Sequence, residues 1–123
     1  MAALIYHIAA LADWNAARAS GVYRADSLET QGFIHCSSRE QVVRVADAVF
    51  RGQRDLLLLA VDPHKLTAQL RFEPPDPSIP AHHYEGELFP HIYGALNAAA
   101  VVRVAAFLPR ADGTFAFPQE LES

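Results

Sequence analysis

His35 and Ser37 are the residues whose types and spacing most favour a binding site, because they stand where a short apolar strand gives way to a helix. Ser37 or Ser38 can cap that helix, and Glu40, three residues after Ser37, completes a capping-box pattern. His35 is then predicted to lie beside free backbone N–H groups and the positive end of a helix dipole. This arrangement suits an anion or a ribose phosphate. The alternative is an interior histidine whose two ring nitrogens are both hydrogen-bonded.

Cys36 directly follows His35, and the pair could be a nucleophile and its base. Successive side chains of a strand point to opposite faces, so His35 does not easily reach the Cys36 sulfur. His91 could be that base if the fold brings it close. The sequence favours a buried, structural Cys36 over a nucleophile.

A second stretch, residues 84–96, interleaves aromatic and polar residues too densely for an ordinary core element. Pro90 fixes the backbone, His91 and Tyr93 share one face if the segment is extended, and Gly94 allows close backbone approach. These side chains are predicted to contact a ligand. The alternative is an edge strand with aromatic packing.

His82, His83 and His91, with Glu85 and Glu87 between them, are all residue types that bind metals. Their spacing is poor for a structural zinc site, and the proline-rich segment before them supplies no helix for a pair of ligands at i and i+4. The sequence therefore favours solvated loop histidines and predicts no metal.

Short strands and helices must position these residues. Strands are predicted at residues 4–9, 33–36, 56–61 and 99–108, within 66–73, and after the Asp112-Gly113 turn at 115–117. The unbroken apolar run at 56–61 predicts a strand covered on both faces. Asp13 is predicted to cap a helix that Gly21 ends, and a single helical turn is predicted at 26–29.

The helix predicted with the clearest pattern spans residues 37–50, and Val42, Val45, Val49 and Phe50 recur on the side that should face the core. Residues 73–83 contain four prolines and are predicted to form a surface loop beside the site. Residues 119–123 are predicted to be frayed.

Composition limits the class of protein. The 123 residues, half of them hydrophobic, fit one domain over residues 1–123, and a net charge of −4 with ten scattered Lys and Arg argues against nucleic-acid binding. The apolar N-terminus has no preceding Lys or Arg and is too short to cross a membrane, so neither export nor membrane association is expected. The single cysteine fits a reducing compartment, and a cytoplasmic location is predicted.

Three segments resemble the bacterial and plant family known as domain of unknown function 952. They are GFIHCS at residues 32–37, the leucine-rich strand that ends in VDP at 61–63, and ELFPHIYGAL at 87–96. The resemblance extends over nearly the whole chain. Proteins of this family resemble the ADP-ribosylation fold. The resemblance therefore implies an α+β split barrel, in which two small mixed or antiparallel sheets and two main helices surround a nicotinamide-dinucleotide cleft.

In ADP-ribosyltransferases of the His-Tyr-Glu type and in RNA 2′-phosphotransferases, an early strand ends in His-x-Ser/Thr and contacts the nicotinamide ribose. The segment from His35 to Ser37 is similar to that motif, whereas Glu87 and Tyr93 belong to a motif of the family's own. The resemblance implies NAD or a related nucleotide as ligand, bound by His35, Ser37, His91 and Tyr93.

The activity implied by this resemblance is an ADP-ribosyl or phosphoribosyl-type transfer with His35, Glu87 and Tyr93 as catalytic residues. His35 would orient the ribose, Tyr93 would stack on the ring, and Glu87 would stabilise the cationic transition state. The alternative is a non-catalytic ligand-binding or protein-interaction module that retains the fold.

Overall fold

The computed structural model describes residues 3–75 and 86–122 of the chain. Its strands and helices, in chain order, are β1 (Ile5–Ala10), α1 (Leu11–Ser20), β2 (Val22–Tyr23), α2 (Asp26–Thr30), β3 (Ile34–His35), α3 (Val42–Val49), β4 (Leu56–Val61), β5 (Gln69–Glu73), β6 (Phe89–Tyr93), β7 (Leu96–Asn97) and β8 (Val101–Phe107). The predicted elements are thus present except for the strand at 115–117. The loop predicted at 73–83 falls mostly outside the described residues, as do His82, His83 and Glu85.

In the described ranges, the strands form three small antiparallel sheets. Sheet A has the strand order β1-β4-β8, sheet B pairs β2 with β7, and sheet C has the order β3-β6-β5. The α+β class is confirmed. The two-sheet arrangement needs correction, because β2 pairs only with β7 and extends neither larger sheet, and no closed barrel is found in the described part of the chain.

Strand β4 is the centre of sheet A and is apolar on both faces, as its sequence predicts. Leu59 and Val61 pack into one hydrophobic cluster with α1, while Leu58 and Ala60 pack into a second cluster with α3. Helices therefore cover both sides of this strand, and the core of the protein lies around it.

Within residues 3–75 and 86–122, sheets A and C are joined where Tyr6 of β1 meets Ser37 just after β3. The two residues exchange backbone hydrogen bonds, each 2.8 Å from N to O, in an isolated antiparallel bridge. In antiparallel register the next hydrogen-bonded pair would be Ile8 and His35, but no ladder forms there. The two backbones diverge at this point, and a cavity lies between them.

Helix α3 begins later than predicted. Ser38 and Gln41 exchange hydrogen bonds, Ser38 N–H to Gln41 Oε1 at 3.0 Å and Gln41 N–H to Ser38 Oγ at 3.2 Å, so the capping box uses this pair and not Ser37 with Glu40. The N–H of Ser37 is also taken, by Tyr6. The expected cluster of free N–H groups directly after His35 is therefore not formed, since helical geometry starts at Val42.

The face that α3 turns to the core is nearly the predicted one. Val42, Val45 and Ala46 are buried, but Val49 is 44% exposed because it lies in the last turn, beyond the edge of the packed surface. Val49 and the half-buried Phe50 line the cavity, and Phe50 also packs against the second hydrophobic cluster, as predicted.

The C-terminal segment is more ordered than predicted. Residues 115–117 form no strand, because Phe115 turns into the core and its ring packs 4.7 Å from that of Phe107. The chain ends in a short 3-10 helix, Gln119–Leu121, whose Leu121 is buried, so the expectation of fraying is wrong for these residues. No helix in residues 3–75 or 86–122 combines the length and apolar character needed to span a bilayer.

Candidate functional site

A cavity of about 330 Å³ occupies the gap between the edge of sheet A and strand β3. Its polar lining residues come from β1, α1, β2, α2, β3 and the turns after β3 and before β4: Tyr6, His7, Asp13, Tyr23, Asp26, Ser27, His35, Ser37 and Gln53. The predicted residues His35 and Ser37 are therefore brought together in one concave surface. None of the described lining residues is Lys or Arg.

His7 and Tyr23 are two cavity residues that the sequence analysis did not select. His7 lies on β1, where its Nδ1 is 2.5 Å from the carbonyl oxygen of His35 and its Nε2 is 2.8 Å from the Tyr23 hydroxyl. A carbonyl only accepts, so Nδ1–H donates to His35, and Nε2 accepts from Tyr23. His7 stands in an otherwise apolar strand, and this was the only sequence signal for it.

Burial keeps this pair uncharged. Desolvation lowers the pKa of His7 to about 4, although its hydrogen bond to His35 acts in the opposite direction. Desolvation also raises the pKa of the Tyr23 hydroxyl, which stays a neutral donor. The His7 side chain therefore holds the backbone of His35 across the gap without placing a charge in the cavity.

The side chain of His35 belongs to a second group of residues, on the face of sheet C that points away from the core. This outer-face cluster consists of Phe33, His35, Arg71, Glu73, His91 and Tyr93. His35 pairs with His91 in the sheet register, and their rings are 5.6 Å apart. Phe33 stacks on His91 at 4.1 Å and lies 5.4 Å from the Tyr93 ring.

Glu73 is the carboxylate of the outer-face cluster. Its Oε1 accepts hydrogen bonds from the Tyr93 hydroxyl at 2.5 Å and from His91 Nδ1 at 2.8 Å. The pKa of Glu73 is lowered first by the hydrogen bond from Tyr93 and then by that from His91. The hydrogen bond between Tyr93 and Glu73 also raises the pKa of the Tyr93 hydroxyl. Sequence analysis missed Glu73 because it adjoins the proline-rich segment. The available sequence signal for Glu73 was its position two residues after Arg71 in a predicted strand, which puts both side chains on one face.

Glu87 lies at a different place from the other predicted residues. Arg44 of α3 holds its carboxylate with two hydrogen bonds of 2.7 and 2.8 Å, and Gln41 adds a third at 3.3 Å. These hydrogen bonds, chiefly that from Arg44, lower the pKa of Glu87. Glu87 does not line the cavity, and its contacts fasten the chain before β6 to helix α3.

The predicted residues therefore fall into three places. His35 and Ser37 line the cavity, His91 and Tyr93 lie in the outer-face cluster, where His91 is next to the His35 ring, and Glu87 is apart from both. Strand β6 is the central strand of sheet C and not an edge strand, so its aromatic residues contact both neighbours. Cys36 is buried, as predicted, and desolvation raises the pKa of its thiol.

Metal ligands are not grouped in the described part of the chain, where no set of three or more His, Cys, Asp or Glu residues could hold an ion. His35 nevertheless lines a cavity that two carboxylate residues, Asp13 and Asp26, also line, and its ring is 5.6 Å from that of His91. This combination can bind hydroxyl groups and a cationic ring by hydrogen bonds and charge.

The comparison with known families matches residues 8–104 to the model described as protein of unknown function DUF952. The chain belongs to the DUF952 family. This membership fits the fold, since the matched region includes nearly all the strands of sheets A, B and C.

The chain is also similar to solved structures of protein CC0527 from Caulobacter crescentus, a structural genomics target. A crystal structure is 37% identical, with 92% of this chain and 93% of that chain covered and a TM-score of 0.79. A crystal structure of a double mutant is 36% identical with the same coverage and TM-score, and a solution NMR structure is 35% identical, with 90% of each chain covered and a TM-score of 0.68. The comparison with curated proteins found no match.

Proposed function

We propose that the protein binds a nucleotide of the NAD type and holds its nicotinamide-ribose end at His35. The observation that carries this proposal is the position of His35 itself. This residue lines the cavity with Ser37, and its ring packs 5.6 Å from that of His91 in the outer-face cluster. A ligand that enters the cavity therefore meets both groups of candidate residues at His35.

The charges around the cavity favour the nicotinamide end over the phosphates. The carboxylates of Asp13 and Asp26 line it, and no Lys or Arg does so among the described residues. Carboxylates favour a cationic pyridinium ring and repel a phosphate. The phosphates would lie outside, towards Arg71, whose exposed guanidinium is 4.8 Å from the centre of the Tyr93 ring.

The size of the cavity supports the same orientation. A volume of about 330 Å³ is at the lower end of the range of about 300–1,000 Å³ for small-molecule pockets. It suits a nucleoside and not a whole dinucleotide. In the proposal, Ser37 and His35 bind the ribose hydroxyls, as the resemblance implies, and Tyr93 is an aromatic residue of the same outer-face cluster as the His35 side chain.

The reaction that this site would support is transfer of the ribosyl group to a nucleophile as nicotinamide leaves. The ribose carbon becomes cationic in such a transition state, and nearby carboxylates stabilise it. Asp13 and Asp26 take this role in the proposal. Glu87 is left out of the chemistry because Arg44 already balances its charge.

Incubation of the purified protein with NAD tests this proposal through two readouts, release of free nicotinamide and the melting temperature. Release together with stabilisation supports an ADP-ribosyl or phosphoribosyl-type transferase. Stabilisation without release supports a non-catalytic binding module. Neither release nor stabilisation at millimolar NAD would reject the proposed ligand.

A further inference from the structure

His91 and Glu73 form a histidine–carboxylate pair with a defined direction. His91 Nδ1 lies 2.8 Å from Glu73 Oε1, and an ionised carboxylate can only accept, so the neutral imidazole carries its proton on Nδ1. Phe33 stacks on the imidazole at 4.1 Å with 21° between the planes. The ring is thus held against rotation, and its Nε2 keeps a lone pair.

His91 is nearly buried, with 3% of the residue exposed. Its Nε2 atom nevertheless has no hydrogen-bond partner among the described residues. In the same part of the chain, every fully buried side-chain nitrogen or oxygen has a partner. Nε2 therefore retains access to solvent at the edge of the ring. A nearly buried imidazole with one accessible basic nitrogen is suited to accept a proton from a bound hydroxyl group.

We propose that His91 Nε2 is the general base of this site and that Glu73 positions it. This inference rests on the proposed function and adds the step that activates the nucleophile. The O–H bond of water or an alcohol breaks, and its proton passes to His91 Nε2. The oxygen then bonds to the ribose C1′, the C1′–N bond breaks, and nicotinamide leaves as a neutral molecule with the electron pair.

Glu73 is less suited than His91 to be the base itself. The hydrogen bond from Tyr93, followed by that from His91, lowers the pKa of Glu73, so this carboxylate stays ionised throughout. It can instead stabilise the imidazolium that His91 becomes, as the carboxylate of a catalytic triad does. Tyr93 keeps its proton because its hydrogen bond to Glu73 raises its pKa.

The geometry can be tested without any ligand. Nitrogen-15 NMR of the histidine rings reports which nitrogen carries the proton. The parent protein should show His91 protonated on Nδ1 near neutral pH, and Glu73→Gln, which keeps an oxygen acceptor, should retain that form. Glu73→Met removes the acceptor and should shift the proton towards Nε2. His91 found with its proton on Nε2 in the parent would overturn the inference, whatever the protein does with NAD.

The chemical role is tested by nicotinamide release from NAD. His91→Gln should lower the rate by about 100-fold or more. Its NAD affinity should change by less than about threefold. Glu73→Met should lower the rate by at least about tenfold through the wrong tautomer. The exposed His64, replaced by Gln, is the matched control and should leave the rate unchanged.

The two proposals fail in different ways. A parent that neither binds NAD nor releases nicotinamide rejects the proposed function and with it the catalytic role of His91. A parent that releases nicotinamide, and a folded His91→Gln variant that does so equally fast, rejects His91 as the base and leaves the proposed function standing.

Discussion

At the scale of single residues, His7 shows how a buried polar side chain can be neutral and yet structurally important. Its two ring nitrogens join three elements, since Nδ1–H donates to the carbonyl of His35 and Nε2 accepts from Tyr23. The hydrogen bonds of His7 partly offset the cost of burying its ring. A charged imidazole would have to lose its hydration and would no longer accept the Tyr23 hydroxyl.

The pKa of His7 predicts a pH dependence of stability. Its folded-state pKa, about 4, lies below the value of about 6.5 in the unfolded chain. The unfolded state therefore binds more protons between these pH values, so stability falls as the pH drops from about 6.5 to 4. The total loss from this group is about 3 kcal/mol. Urea denaturation at pH 7 and pH 4.5 measures it.

The control for this prediction is a pair of histidine variants. His7→Gln should be less stable at pH 7 and should lose less stability between pH 7 and 4.5 than the parent. His64 is exposed, so His64→Gln should follow the parent curve. A His7→Gln variant with an unchanged pH dependence would show that His7 does not titrate as its burial implies.

Glu87→Gln separates a structural from a catalytic carboxylate. The Arg44–Glu87 ion pair is partly exposed, and such pairs contribute about 0–1 kcal/mol. We expect a stability loss within that range and no change in NAD binding or nicotinamide release. A large loss of release with normal stability would restore Glu87 to the catalytic role that the family motif suggests.

Residue types alone could not separate Glu73 from Glu87. Glu73 is the last residue of β5, Glu87 lies just before β6, and only Glu87 belongs to a recognisable motif. Strand pairing determines which of the two glutamates joins the outer-face cluster, because the register of β5 with β6 brings Glu73 to the face that carries His91 and Tyr93. Such register depends on contacts between distant parts of the chain, which local patterns do not determine.

At the scale of elements, periodicity was a reliable guide to type and a weaker guide to boundaries. The apolar run of β4 and the helical spacing of α3 both gave the observed element. The start of α3 was misplaced because Ser37 and Ser38 are equivalent by residue type. The backbone of Ser37 is engaged by Tyr6 across the sheet junction, which leaves Ser38 to pair with Gln41.

Helix α3 allows a direct test of its orientation with one substitution at two positions. Val42 is fully buried, so Val42→Asp places an unpaired carboxylate in the core and should cost about 3 kcal/mol or more. Val49 is 44% exposed, so Val49→Asp should cost about 1 kcal/mol or less. Denaturation curves of the two variants measure these stability losses. Similar losses for Val42→Asp and Val49→Asp would contradict the described orientation of α3.

At the scale of the whole molecule, the site is a consequence of how the sheets are joined. In the part of the chain that the structure describes, one backbone bridge, Tyr6 with Ser37, connects sheets A and C. Beyond this bridge the strands diverge, and the His7 side chain, not a ladder hydrogen bond, holds β3 at the gap. The cavity therefore needs no separate lid or insertion, because it forms where two sheets begin to separate.

This arrangement also explains what the sequence could and could not predict about the site. The motif around His35 located the junction, and His91 and Tyr93 were correctly placed together on one face of an extended segment. His7, Asp13, Tyr23 and Asp26 were not selected as site residues, because they reach the cavity from β1, α1, β2 and α2 only after the chain has folded. A cavity lined by residues from seven elements has no local signature.

The central claim is that a nucleotide binds at His35, and calorimetric titration of NAD into the parent and into His35→Ala tests it most directly. His35 is partly exposed and bonds to the exposed side chain of Gln31, so its removal should have little effect on the denaturation midpoint. It should weaken NAD binding by about 1–3 kcal/mol, because a ribose hydroxyl loses its partner. His64→Ala should bind like the parent. Equal affinity of parent and His35→Ala, or large destabilisation of His35→Ala with unchanged affinity, would contradict the assignment of this site.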